Sequence, residues 1–148
     1  MIDWTKYQYL TPNESWGDHD KMSPVLLDKL DAMCRLMQSG IFVTCGTQGI
    51  HDDNMGLHSS GIAVDFIPMD LIRGYTTLLD CFFMAARFGF TGIGLYPDWH
   101  YNGKRTGGLH VDIRPAQYMA QWLAVATSGT QVYIRLSESN LIKWGAIK

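Results

Sequence analysis

The stretch Leu57–Asp65, L-H-S-S-G-I-A-V-D, and its later counterpart Leu109–Arg114, L-H-V-D-I-R, organise this chain. In the first, Ile62, Val64 and Phe66 alternate with Ala63, Asp65 and Ile67, which reads as a buried strand carrying one carboxylate. In the second, Leu109–Ile113 alternates in the same way and reads as another strand. An ionised carboxylate between Val64 and Phe66 is costly unless it is paired or coordinated, and the same holds for His110 between Leu109 and Val111. His58 lies seven positions before Asp65, separated from it by Ser59, Ser60 and Gly61, a run that can curl back on itself. Two imidazoles and a carboxylate are the usual protein ligands of a catalytic zinc, which keeps a fourth position for water. A salt bridge from Asp65 to an arginine and a hydrogen-bonded core histidine at 110 account for the same residue types, so the residues alone leave both readings open.

At 148 residues the chain falls in the size range of one domain, here 1–148. Its 47% hydrophobic and 18% charged residues are those of an ordinary globular protein. A net charge of −2 argues against a nucleic-acid partner, which demands a basic face. No apolar run reaches the ~18 residues of a membrane span. The first residues, M-I-D-W-T-K-Y-Q, lack a basic start followed by an apolar run, so no signal peptide is expected. Cys34, Cys45 and Cys81 form no C-x-x-C, which argues against a cysteine zinc site.

Outward from the two stretches, residues 1–22 carry Trp4, Tyr7, Tyr9 and Trp16 and read as an arm that packs by its aromatics. Ser23 and Pro24 mark a helix start, Leu27, Leu30, Cys34 and Met37 follow at helical spacing, and Gly40 ends the run. Ile41–Cys45 is a β-branched strand. A second helix is expected from an Asp70 cap through Leu71, Tyr75, Leu78, Phe82 and Ala85 to Gly89. Gly92–Tyr96 reads as a strand and Pro97–Gly108 as a loop. Pro115 is expected to open a third helix with Tyr118, Met119, Trp122 and Leu123, and Gln131–Leu136 a last strand. Residues 116–148 would extend the same domain. The mixture, without regular βαβ repetition, predicts an α+β fold with a small central antiparallel sheet flanked by helices.

From about Met22 to Pro115 the chain resembles the zinc D-Ala-D-Ala carboxypeptidase family, which comprises murein DD-peptidases and endolysin peptidases related in fold to the Hedgehog domain. The resemblance is carried by S-P-V-L-L-D-K-L-D-A-M, V-T-C-G-T-Q, L-H-S-S-G-I-A-V-D-F, F-G-F-T-G-I-G-L-Y-P and L-H-V-D-I-R-P. The family pattern S-x-H-x-x-G-x-A-x-D is met except at its first position, where Gly56 stands. The resemblance implies Zn²⁺ held by His58, Asp65 and His110, a peptidoglycan stem or cross-link peptide as substrate, and a Hedgehog-like fold. A monomer is expected, and the lack of a signal peptide fits synthesis in the cytoplasm followed by action on the cell wall, by phage-type release or from a virion.

Two departures bear on catalysis. The family usually has S-G-Y-R after the first strand, its Arg polarising the scissile carbonyl; Gln48 stands there and offers a hydrogen bond but no charge. Relatives often carry a His or an acidic residue shortly before the last ligand as general base, where this chain has Gly107 and Gly108. The candidates for the base are then Asp112, Asp98, His100 and His51. Asp112 is preferred, being two residues past His110 on one strand face, although it could instead orient a ligand or bridge to Arg114. The alternative to an enzyme is a non-catalytic zinc-containing wall-binding or structural module that has lost its base. Two His and a carboxylate also suit Fe(II), but no His follows Asp112 to complete an oxygenase set.

Overall fold

The computed structural model describes residues 1–49 and 55–145. The chain is α+β, and its sheet is larger than expected. Strands β1 (Ile41–Cys45), β2 (Ala63–Pro68), β3 (Gly92–Tyr96), β6 (Gly108–Asp112), β7 (Ala120–Thr127) and β8 (Thr130–Arg135) form one six-stranded sheet in the order β1-β2-β6-β3-β7-β8. The sheet is mixed, because β3 and β7 run parallel while the other pairs are antiparallel. A short hairpin, β4 (His100–Tyr101) with β5 (Lys104–Arg105), rises from what reads in sequence as plain loop.

Alternation along the central strands sorts the side chains into two layers. Val64, Phe66, Ile93, Leu95, Leu109, Val111, Leu123 and Val125 are buried in one core cluster. That cluster includes Leu26, Leu27, Leu30 and Cys34 of helix α1 (Pro24–Met37) and Leu78, Cys81, Phe82 and Ala85 of α3 (Leu78–Arg87). The opposite face carries the polar residues. There, register partners run straight across the sheet, from Cys45 to Asp65, His110, Gly94, Trp122 and Arg135. Gly94 is where this row needs a glycine, since a Cβ would stand 2.5 Å from the Trp122 indole, which lies flat over β3.

Several expectations are corrected. The helix expected from Pro115 is a single 3-10 turn, Ala116–Tyr118, followed by β7. Tyr118, Met119, Trp122 and Leu123 fit helical spacing, but the free edge of β3 recruits A-Q-W-L-A-V-A-T as a strand, burying Leu123 and Val125 and laying Trp122 on Gly94. The second helix is two. Gly74, at φ 75°, caps α2 (Met69–Arg73), and α3 restarts behind a capping box in which Thr77 and Asp80 satisfy each other's backbone N–H. Asp70 sits in the first turn of α2 rather than at its cap. Ser23 precedes α1 without a side-chain capping bond, and Gln38, at φ 53°, ends that helix ahead of Gly40. An unexpected helix, α4 (Glu138–Lys143), follows Ser137, whose hydroxyl accepts from Asn140 N–H.

The N-terminal arm packs through its aromatics. Trp16 is fully buried, its Nε1 donates to Thr11 O at 2.6 Å, and its ring lies 5.7 Å from that of Trp4. Its carbonyl accepts from Thr47 N–H and Thr47 Oγ1, so the arm holds the turn that leaves β1. Between the two tryptophans in sequence, Glu14 accepts from Thr11 N–H through Oε1, while Oε2 is buried without a hydrogen-bond partner among the described residues. Burial of that oxygen pushes the Glu14 carboxyl up to about 7 from an ordinary 4.5.

Two outcomes follow. Gly94→Ala forces the Trp122 indole off β3 and destabilises the fold by about 1–3 kcal/mol, read by urea denaturation followed through tryptophan fluorescence. Between pH 4.5 and 7 the folded chain keeps a proton on Glu14 that the unfolded chain has lost. Its stabilising effect is therefore fully present below about 4.5 and gone as pH rises through about 7. Glu14→Gln, which cannot ionise, is expected to be more stable than the parent at pH 8 and to flatten the pH dependence of Tm across that window.

Candidate metal centre

Asp65 and His110 are register partners on the neighbouring strands β2 and β6, so their side chains leave the same face side by side. The His110 Nδ1 lies 2.8 Å from Asp65 Oδ1. The His58 Nε2 approaches that same oxygen at 3.5 Å. His58 is delivered by the tight turn before β2, where Gly61, at φ 71°, returns its N–H to His58 O at 2.9 Å. A side chain at Gly61 would strike the Lys21 carbonyl, so the arm closes on this turn as well. All three residues are buried. The structure therefore brings His58, Asp65 and His110 together.

The outward ring nitrogens are also fixed. His58 Nδ1 lies 2.9 Å from Gly46 O, and His110 Nε2 lies 2.9 Å from Asp112 Oδ2. A backbone carbonyl and a carboxylate at these positions accept N–H from the outer nitrogens, so the inner nitrogen of either ring, once neutral, would be the one to ligate a metal. Charge also holds the cluster together. Burial opposes the imidazolium of His58, but Asp65 and Cys45 beside it outweigh burial and raise its pKa; His110 is raised likewise by Asp112 and Asp65. Burial acts to raise the Asp65 carboxyl, and the two rings overcome it and hold that carboxyl below the usual range.

Cys45 is the member that sequence reasoning missed. Its Sγ, a ring nitrogen of His58 and a carboxylate oxygen of Asp65 all lie within 4.8 Å of one another, a group that could hold a metal ion. The absence of C-x-x-C argues against a cysteine site, but strand pairing, not sequence spacing, places this thiol. The register of β1 on β2 slips between Val43 and Cys45, so that Cys45 and not Thr44 faces Asp65.

The remaining candidates lie elsewhere or are engaged. Asp112 is fully buried; its Oδ1 accepts from Arg114 N–H at 3.0 Å and Arg114 Nε at 2.8 Å, and its Oδ2 meets both His110 and Arg114. Burial acts to raise this carboxyl, and Arg114 and His110 pull it well below the ordinary value instead. Gln48 donates to Ser15 O at 2.9 Å and accepts from Gly46 N–H at 2.9 Å, so both ends of its amide hold the loop after β1. Asp98 accepts from Ala126 N–H and pairs with Arg105, tying the hairpin to β7. His100 is exposed on β4. His51, with Asp52 and Asp53, lies outside the described residues. The Trp99 ring covers Gly108 and leaves no room for a Cβ there. Over the other side of His110 lie Trp122, ring centroids 5.2 Å apart, and Tyr96, whose hydroxyl accepts from Trp122 Nε1 at 3.3 Å.

No protein-family model, no curated protein and no solved structure matches the chain. Among the described residues no helix is long and apolar enough to cross a membrane.

The buried Asp112–Arg114 pair sets a measurable cost. Arg114→Ala leaves the Asp112 carboxylate with its charge uncompensated on that side and is expected to lower stability by about 3–5 kcal/mol in urea denaturation.

Proposed function

We propose that this chain is a zinc-dependent peptidase acting on peptidoglycan stem or cross-link peptides, with His58, Asp65 and His110 as the metal's protein ligands. One observation carries the proposal: a single buried carboxylate oxygen, Asp65 Oδ1, is approached by the inner nitrogens of two imidazoles whose outer nitrogens are each held by an acceptor. The donor chemistry, two neutral imidazoles and a carboxylate, fits zinc. The peptide-bond chemistry and the wall substrate come from the likeness to zinc D-Ala-D-Ala carboxypeptidases in G-x-H-x-x-G-x-A-x-D and L-H-V-D, as do a Hedgehog-like fold and action on the cell wall.

When bound, zinc supplies Lewis acidity toward an amide carbonyl and toward water. The chain's own groups supply the rest. Asp112 sits behind His110, where it fixes the ring's tautomer and orientation; with its oxygens on Arg114 and His110, it acts by positioning. Trp122 packs against His110 on the β3 side and bonds to Tyr96, which stacks on Trp99 with ring centroids 4.4 Å apart. Burial raises the Tyr96 hydroxyl above its ordinary value, and the Asp65 charge adds to this. Gln48 keeps the loop after β1 against the arm.

A second reading, a zinc-containing wall-binding module without hydrolytic activity, is favoured by one specific observation: the oxygens of Asp112 and both ends of the Gln48 amide are already engaged. Digestion of purified cross-linked muropeptides, followed by mass spectrometry, separates the two. The peptidase produces a fragment whose mass names the bond cut, and chelator or His110→Ala abolishes it. Metal-loaded protein that sediments with cell walls and releases no fragment establishes the second reading. Asp112→Asn is expected to weaken zinc binding about 10–100-fold, measured by competition with a chromophoric chelator.

A further inference from the structure

We propose that Cys45 is a fourth protein donor, so that the metal centre comprises Cys45, His58, Asp65 and His110. The proposal rests on the metal reading of this same site and adds the residue that fills its last place. Three independent features bring the thiol there. The first is the bulge in β1. Without it Thr44 would pair with Asp65 and the Cys45 side chain would point to the core face; with it Cys45 becomes the register partner of Asp65 and shares its face.

The second is donor spacing. For bonds of roughly 2.0–2.3 Å, donor atoms around a tetrahedral zinc stand about 3.3–3.8 Å apart. The Cys45, His58 and Asp65 donors already lie within 4.8 Å of one another, and the His110 Nδ1, outside that group of three, is 2.8 Å from Asp65 Oδ1. The third is Gly49. A Cβ there would stand 2.6 Å from His58 Cγ and 3.0 Å from Cys45 Sγ, so the loop backbone closes down on both donors and holds them adjacent.

The chemistry of the set is coherent. A thiolate and one carboxylate neutralise a divalent cation, and two imidazoles complete four-coordination without residual charge in a buried place. A thiolate also moves the site's preference from hard cations toward zinc and other borderline or soft ions. With all four places taken, an oxygen ligand enters only by displacing one donor. Cys45, half-buried at the end of an edge strand, is the most accessible of the four.

The test uses the whole chain with cobalt(II) as the probe ion and the three thiols as internal reporters. Cys34 and Cys81 are buried, and burial pushes both thiols up to about 12, so a thiol-reactive disulfide reagent reads Cys45 in the native protein. The expected result is one equivalent of cobalt bound, a near-ultraviolet thiolate-to-cobalt charge-transfer absorption, and metal protection of Cys45 from the reagent. Cys45→Ser, with Cys45→Ala as a second variant, should still bind cobalt, with affinity lowered roughly tenfold or more and the charge-transfer absorption gone. One equivalent of cobalt bound by the parent chain without that absorption, and with Cys45 still reactive, overturns the proposal while leaving the three-ligand centre intact. If neither cobalt nor zinc binds stoichiometrically, the metal reading itself falls, and this proposal with it. The absorption and the protection are both read on the parent chain, so a variant that fails to fold does not blunt the test.

Discussion

A buried carboxylate that two imidazoles share is the constraint on which this structure depends. Asp65 lies in a strand whose every residue is buried, where a lone ionised group would be too costly to keep. His110 meets its oxygen at 2.8 Å and His58 at 3.5 Å, and each ring is anchored on its far side. Removing His110 leaves Asp65 with only the 3.5 Å approach of His58 among these rings. The residues around the cluster are therefore as constrained as those in it: Gly46 must present its carbonyl to His58, Asp112 must reach behind His110, and Arg114 must balance Asp112.

Small residues in the sheet serve this cluster. Its polar face is a row of register partners in which Gly94 lies beside His110, and the missing side chain lets Trp122 lie flat against the strand, 5.2 Å from the imidazole. Gly92 plays the same part for the Asp112 carboxylate and Gly108 for the Trp99 ring. Glycine weakens a strand by its own propensity, and here that loss is offset by aromatic and carboxylate groups seated on bare backbone. The glycines at 107 and 108, which look like a missing base, are thus also packing positions under Trp99.

The arm shows how a segment without internal periodicity becomes ordered. Trp16 contributes a buried indole, and its carbonyl takes both polar groups of Thr47. Ser15 takes the Gln48 amide, and Ser23 N–H bonds to Gly61 O. The two turns that present Cys45 and His58 are consequently tied to the first 23 residues, and arm and site form one mechanical unit.

Local pattern determined much of this by itself. The buried strands Ala63–Pro68 and Gly108–Asp112, each within a residue of its expected bounds, the α1 run and the pairing of chemistry between L-H-S-S-G-I-A-V-D and L-H-V-D-I-R are legible because period-2 alternation of apolar residues, broken by a single charged one, fits a buried strand and little else. His58, Asp65 and His110 could be named together on those grounds and on a family likeness. Tertiary structure alone decided the rest. Ala120–Thr127 became a strand because the edge of β3 was open to it, a fact that no window of its own residues contains. Asp112 turned toward His110 and Arg114 because a fully buried carboxylate must find cations. Cys45 came to Asp65 through a one-residue slip in strand register, and register is a property of two strands together, invisible in either one read singly.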